Sequence, residues 1–369
     1  MNNLYENLMK DFNISLESLK SLDSKDINLL INKLPSTRKS TSKTAIKHLN
    51  QAFLKDNLTL VLGSGISANY GLPTWNFLLQ RLLMKTIEKA PQKATVLSKV
   101  FIDIFNPSPL IAGRYLQDSF LDPKIKTKFE NEVRNALYES YNKDAKSLIM
   151  DEIIRLCVSP GNSPNIDGIV TYNYDDIIES KLRETKMDVP FQSVYGQGMN
   201  PDNKSLAIYH VHGYLPEKGS LNKHNIITLG EFVYHEQYTN IYSWNNIVQI
   251  NKFRDKTCLF IGTSLSDPNI RRLLDIAKSQ KNSKKFHYII KKKTDKSWVA
   301  KKLEKTLKDK EEILNEKTKA KMGFNEVIDF LIEIYNRFEE KDSESLGVKT
   351  VWVDDFETDI SSILKKIRE

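Results

Sequence analysis

The spacing of apolar residues changes along the chain. Near the start they recur at helical intervals, Leu16, Leu19 and Leu22, then Ile27, Leu30 and Ile31. Residues 1–55 are therefore expected to form a helical N-terminal segment, a small cap or docking element. Its polar stretch Pro35 to Ser42 reads as a linker. From residue 58 the pattern differs. Leu58-Thr-Leu-Val-Leu62 is a short apolar run that ends on Gly63-Ser-Gly65. A buried parallel strand opens onto a glycine turn and a helix in this way. The helix is expected at Trp75 to Leu83. Residues 85–165 carry amphipathic patterns, including Phe129 to Tyr141 and Lys146 to Leu156, and read as an α-helical insertion. Pro160, Gly161 and Pro164 then break the chain.

Four further short strands are predicted, at Gly168 to Tyr172, Ala207 to Val211, Thr257 to Ile261 and Phe286 to Ile290. Val348 to Val353 reads as a last strand, and 347–369 as that strand and a following helix. Strands alternating with helices predict an α/β fold, a Rossmann-like parallel sheet with helices on both faces. Ligands of such sheets bind at the carboxyl ends of the strands. The catalytic domain is expected to span 56–369. Within it, 291–346 is a Lys-rich helical segment whose lysines and glutamates at helical spacing suit a solvated helix.

Composition narrows the function classes. The 369 residues hold 55 Lys plus Arg against 47 Asp plus Glu, a net charge of +8. That excess is small for the length and gathers toward the C-terminal part, without the interleaved aromatics of a nucleic-acid platform. Hydrophobic residues make up 40% and charged residues 28%, as in an ordinary globular chain. The two cysteines, Cys157 and Cys258, exclude a disulfide framework and a four-cysteine zinc site. Residues 1–20 lack the apolar core of a signal peptide, and no apolar run reaches bilayer-spanning length. A cytoplasmic protein is the expectation.

Four segments carry chemistry, each directly after a predicted strand. Gly63-Ser-Gly65-Ile-Ser67 permits a tight turn and close backbone approach to a phosphate, with a helix N-terminus behind it. It fits a loose dinucleotide-loop pattern, yet no second strand with a closing acidic residue follows, so an ordinary dehydrogenase half is not expected. Thr171-Tyr-Asn173-Tyr-Asp175-Asp176 places an amide and carboxylates at a strand end, where Asp176 also suits a helix cap. His210-Val-His212-Gly213 puts two histidines on one strand face, but no third ligand stands at useful spacing for zinc. His212 suits a general base near neutral pH, and His210 a satisfied core histidine. Gly262-Thr-Ser264-Leu-Ser-Asp267-Pro268 offers small hydroxyl residues for ribose and phosphate, with Asp267 as contact, helix cap or both.

In this order the segments resemble the sirtuin (silent information regulator) superfamily over about residues 55–290. Its Gly-Ala-Gly-Ile-Ser loop is matched by Gly63 to Ser67, its Thr-Gln-Asn-Ile-Asp by Thr171 to Asp175, and its His-Gly by His212-Gly213. Its Gly-Thr-Ser stands unchanged at Gly262 to Ser264. The departures point further. No Cys-x-x-Cys pairs lie between Gly213 and Thr257, so no zinc module is expected. Pro73-Thr-Trp75 stands where deacetylases carry a Pro-Asp-Phe-Arg type sequence. With the helical insertion, these features look like bacterial sirtuin-like anti-phage effectors that hydrolyse NAD.

The resemblance implies an NAD glycohydrolase that releases nicotinamide and ADP-ribose and depletes NAD in abortive infection. NAD would be the substrate, with no metal. Asn173 would position the ribose and the attacking water, and His212 would act as base. Asp175 would hold the nicotinamide carboxamide. Gly63, Ser64 and Gly65 would carry the diphosphate on backbone amides, and Ser67 in the same loop would be a further cofactor contact. Gly262, Thr263 and Ser264 would line the adenosine side, and Trp75 would pack over the nicotinamide end or in the core. Asp267 is a further contact. The alternatives are an NAD-dependent deacylase or ADP-ribosyltransferase, and a non-catalytic NAD or ADP-ribose sensor. A homo-oligomer is expected, and a separate regulatory protein such as a HerA-type ATPase. Membrane and nucleic acid are not expected partners.

Overall fold

Leu58, Leu60 and Leu62 alternate along one strand with Thr59 and Val61, and all five are buried. A strand apolar on both sides needs cover on both faces, and the fold supplies it. The computed structural model describes residues 42–87, 109–120, 128–158, 166–187, 189–202, 204–280, 286–308 and 324–369. The leucine pattern before residue 42, the linker Pro35 to Ser42 up to its last residue, and the breakers Pro160 to Pro164 lie outside these residues.

In chain order the elements are α1 (Ser42–Phe53), β1 (Leu58–Leu62), α2 (Trp75–Ile87), α3 (Pro109–Phe120), α4 (Lys128–Tyr138), α5 (Leu148–Cys157) and β2 (Gly168–Thr171). Then come α6 (Ile177–Glu184), β3 (Phe191–Val194), β4 (Leu206–His210), α7 (Glu231–Thr239), α8 (Trp244–Asp255) and β5 (Thr257–Ile261). The described part ends with α9 (Pro268–Ser279), β6 (His287–Lys292), α10 (Lys296–Lys308), α11 (Phe324–Ser345), β7 (Val348–Val353) and α12 (Phe356–Arg368). The seven strands form one sheet in the order β3-β4-β2-β1-β5-β6-β7. The β1–β2, β1–β5, β2–β4, β3–β4 and β5–β6 pairs are parallel. This is the expected α/β Rossmann-like architecture. Strand β3 was not expected: it is a short edge strand, mostly half-buried, and its Gln192-Ser193 centre gives no apolar run.

Leu58, Leu60 and Leu62 share one core with α1, α2, α4, α5 and α12. Val61, Val170 and Phe260 share the other with α8 and α9. Residues 85–165 hold α3, α4 and α5, and α5 packs on α12 as a face helix of the sheet. Helix α1, placed with the N-terminal segment on sequence, buries Ala45, Leu49 and Phe53 in the first core.

Registry sets the site. Leu62 pairs with Thr171 and with Ile261, and Thr171 pairs with His210. Four strands thus stop at one level, and the chain order reverses at β1, with β2 on one side and β5 on the other. Crevices form at such a switch point. Helices α10 and α11 belong to a separate compact unit that includes residues 292–345. There Trp298, Val299, Leu331 and Tyr335 line a groove, and Lys296 pairs with Asp329. No described helix is long and apolar enough to cross a membrane.

Candidate active site

The level strand ends open into a cavity of about 600 Å³. Of the residues predicted for the site, Gly63, Ser64, Ser67, Trp75, Asn173, Asp175, His212, Gly262, Thr263, Ser264 and Asp267 all line it, and Gly65 does not.

The glycines serve the approach of two turns. A Cβ on Gly63 would come within 2.5 Å of the Gly262 carbonyl oxygen, and one on Gly65 within 2.7 Å of Gly262 Cα. The N–H of Gly63 donates to Ile261 O at 3.0 Å and that of Gly65 to Gly262 O at 3.1 Å. Both amides are therefore engaged by the end of β5. Of the three amides expected to carry a diphosphate, only that of Ser64 makes no hydrogen bond among the described residues. The first turn of α2, with Thr74, Trp75 and Asn76 on the cavity, presents the positive end of a helix dipole there. Beyond Gly262, Leu265 stands at a φ of 55° with its side chain buried in the second core, which fixes the Thr263-Ser264 turn.

Asn173 is held by its nitrogen. Its Nδ2 donates to Gly63 O at 3.2 Å and to Ser67 Oγ at 3.1 Å, and its main-chain N–H to Thr171 Oγ1 at 3.1 Å. The carboxamide oxygen has no partner among the described residues, on a side chain that lines the cavity. Asp175 Oδ1 accepts from the Ile177 N–H at 3.3 Å, and burial pushes its carboxyl up to about 6. Asp176 sits at the first turn of α6 but does not cap it. Its Oδ1 accepts instead from Tyr138 Oη at 2.8 Å and the Glu217 N–H at 3.1 Å, so the expected cap is a tether between α4 and the loop after β4.

The two histidines part company. His210, fully buried, sets Nε2 at 2.7 Å from Glu179 Oε1 and Nδ1 at 3.2 Å from Asn173 O. It is the satisfied core histidine expected. His212 is buried with Nε2 unpartnered. The edge-on ring of Tyr172 lies 4.8 Å away and that of Tyr234 6.1 Å, and Asp267 Oδ2 is 3.7 Å from Nε2. Burial holds the imidazole below its ordinary range, with Asp267 opposing. Gly213 turns the chain immediately after it at a φ of 112°. Asp267 does cap α9, its Oδ1 accepting from the N–H of Asn269 at 2.7 Å and of Ile270 at 3.1 Å. Its Oδ2 accepts from Tyr234 Oη at 2.5 Å. Tyr234 was missed on sequence because α7 offers no local signal: only folding brings it beside Asp267. Trp75, half-buried, both lines the cavity and packs on the first core, its ring 6.3 Å from that of Tyr174. Among the described residues no group of three or more His, Cys, Asp or Glu side chains is placed to hold a metal.

Residues 167–314 match the family model of the SIR2-like domain. Over 339 residues, 89% of this chain, the sequence is 24% identical to the NAD(+) hydrolase ThsA of Enterococcus faecium. The chain spans 58% of the length of that relative. The segment matched by the family model runs from just before β2, through the Asn173, His212 and Gly262 turns, to beyond β6. Over residues 167–314, with the parallel sheet and the strand-end cavity around them, the chain is similar to SIR2-like domains.

Proposed function

We propose that this cavity binds NAD and hydrolyses the bond between nicotinamide and ribose. The observation that carries the reading is that Asn173, held through Nδ2, and His212, whose Nε2 makes no hydrogen bond, line one cavity beside the Gly262-Thr-Ser264 turn. Nicotinamide in NAD is cationic and leaves with the bonding electron pair. The protein has to steady oxocarbenium-like charge and admit water. The Asn173 oxygen orients the ribose and water, and His212 takes the proton. Asp175 faces the carboxamide, the Ser64 amide and the first turn of α2 face the diphosphate, and Trp75 covers the nicotinamide end. The similarity to an NAD(+) hydrolase supports the substrate.

The test is a product assay by chromatography, with nicotinamide and ADP-ribose followed for the wild type, Asn173→Ala and His212→Ala. Each variant is expected to lose nearly all turnover while melting like the wild type. A double variant no worse than either single would mark them as one unit. Most activity surviving in His212→Ala would remove its role as base. Nicotinamide released only in the presence of an acetylated peptide would favour the deacylase reading. Tight ADP-ribose binding with no cleavage would favour a sensor.

On the same resemblance we propose a cytoplasmic, homo-oligomeric effector of anti-phage defence that depletes NAD, gated by a separate protein such as a HerA-type ATPase. A fall in cellular NAD on infection that vanishes with Asn173→Ala is the expected outcome.

A further inference from the structure

We infer that Asp267 is the charge partner of His212 and that Tyr234 holds it in place, so that His212 presents Nδ1 to the reacting water. The inference deepens the hydrolase reading above and rests on it for its kinetic part. Sequence places Asp267 only as a ligand contact or a helix cap, and its surroundings assign it more. One oxygen, Oδ1, is taken by two amides at the start of α9. The other, Oδ2, accepts from Tyr234 Oη at 2.5 Å and faces His212 Nε2 at 3.7 Å. Little accepting capacity remains for a ligand hydroxyl.

The ring itself is asymmetric. Nε2 is fully enclosed without a hydrogen bond, and the enclosed side is the side of Asp267. Nδ1 is not among the enclosed unpartnered atoms, and His212 lines the cavity. A proton on Nε2 pointing at the carboxylate leaves the Nδ1 lone pair for the cavity. At 3.7 Å the pair is longer than a hydrogen bond, and such contacts tighten when a substrate fills the site. Among the described residues, the groups set against the imidazole are Tyr172 just after β2, Tyr234 from α7 and Asp267 from the start of α9. Asp267 is the acid among them.

The step then balances. Water adds its oxygen to the anomeric carbon as the C–N bond breaks, and that electron pair neutralises the nicotinamide ring. One water proton passes to Nδ1, giving an imidazolium against the Asp267 carboxylate, and is later released to solvent. A buried carboxylate so placed fixes the tautomer and steadies the charge that forms. Asp267 and Tyr234 are positioning residues in this scheme.

The test uses ring-nitrogen NMR of the ligand-free protein alongside kinetics. Asp267→Asn keeps an oxygen for the α9 cap, and Tyr234→Phe keeps the packing. With the carboxylate gone, the His212 titration midpoint is expected to fall and the preference for Nε2–H to weaken. With the Tyr234 hydroxyl gone, the carboxylate is less compensated and the midpoint is expected to rise. Opposite shifts are not what loosened packing produces. In kinetics, Asp267→Asn should lower kcat at least about tenfold with KM for NAD little changed. Both variants shifting the midpoint the same way, or neither shifting it, would overturn the pairing. So would a large rise in KM with kcat kept, which would make Asp267 a ligand contact. If the wild type cleaves no NAD, the hydrolase reading fails, and the titrations alone still decide the pairing.

Discussion

At Gly213 the main chain takes a φ of 112°, and a Cβ there would lie 2.4 Å from the Ile226 carbonyl oxygen. Both facts demand glycine, and both follow from turning the chain straight after His212. Gly219 has a φ of 95° with nothing near its Cβ position. Gly213→Ala is therefore expected to lower thermal stability by more than Gly219→Ala, for which left-handed strain of about 1–2 kcal/mol is the whole cost. Gly213→Ala should also displace His212 and lose turnover, with unfolding and product assays as the two readouts. Equal stability losses would show that the clash with Ile226 is relieved. At His212 itself, burial favours the neutral ring. Loss of activity toward acid pH should accordingly set in below 6.5, the ordinary histidine value. A kcat/KM profile already falling at 6.5 would place the ring in a wetter setting than the one described.

Between elements, the buried pair of Glu179 on α6 and His210 at the end of β4 ties the helix to the strand behind Asn173. Both side chains are fully enclosed, and Ser193 Oγ on β3 donates to the same Glu179 oxygen at 2.7 Å. Burial is the largest influence on each and opposes its charge, but the partner's charge and the hydrogen bonds together outweigh it: His210 is held above its ordinary 6.5 and Glu179 below its ordinary 4.5. The raised histidine contributes stability that is complete below pH 6.5 and lost as pH climbs through its folded value. The lowered glutamate contributes stability that is complete above pH 4.5 and lost as pH falls through its folded value. The pair thus stabilises most between those limits. Glu179→Gln should cost about 3–5 kcal/mol there, because it strands a buried imidazolium. The gap from wild type should narrow at pH 9, where the ring can be neutral in both proteins. A gap independent of pH would mean that packing, not charge, is lost. Elements differ in how openly sequence announces them. Strands β1 and β5 read as apolar runs because cores press on both faces. β3 stayed silent because its edge position leaves Gln192 and Ser193 in place of apolar residues.

For the whole molecule the decisive feature is the common level of Leu62, Thr171, His210 and Ile261. It turns four turns scattered over two hundred residues into one cavity wall. The proposed homo-oligomer also belongs to this scale. Light scattering after size exclusion should give a mass above the 42.6 kDa of one chain, and a monomer at every concentration would remove it. The sequence by itself determined the strand-end motifs, the parallel α/β class and the candidates Asn173 and His212. These are local matters, since buried strands must be apolar and tight turns must carry glycine. Only the tertiary structure decided which groups are free to act. It engaged the amides of Gly63 and Gly65 with β5, withdrew His210 into a pair with Glu179 and turned Asp176 from α6 toward Tyr138. It also set Tyr234 and Asp267 against His212. Such partners come from distant elements whose meeting depends on strand registry and helix packing, which no local pattern encodes.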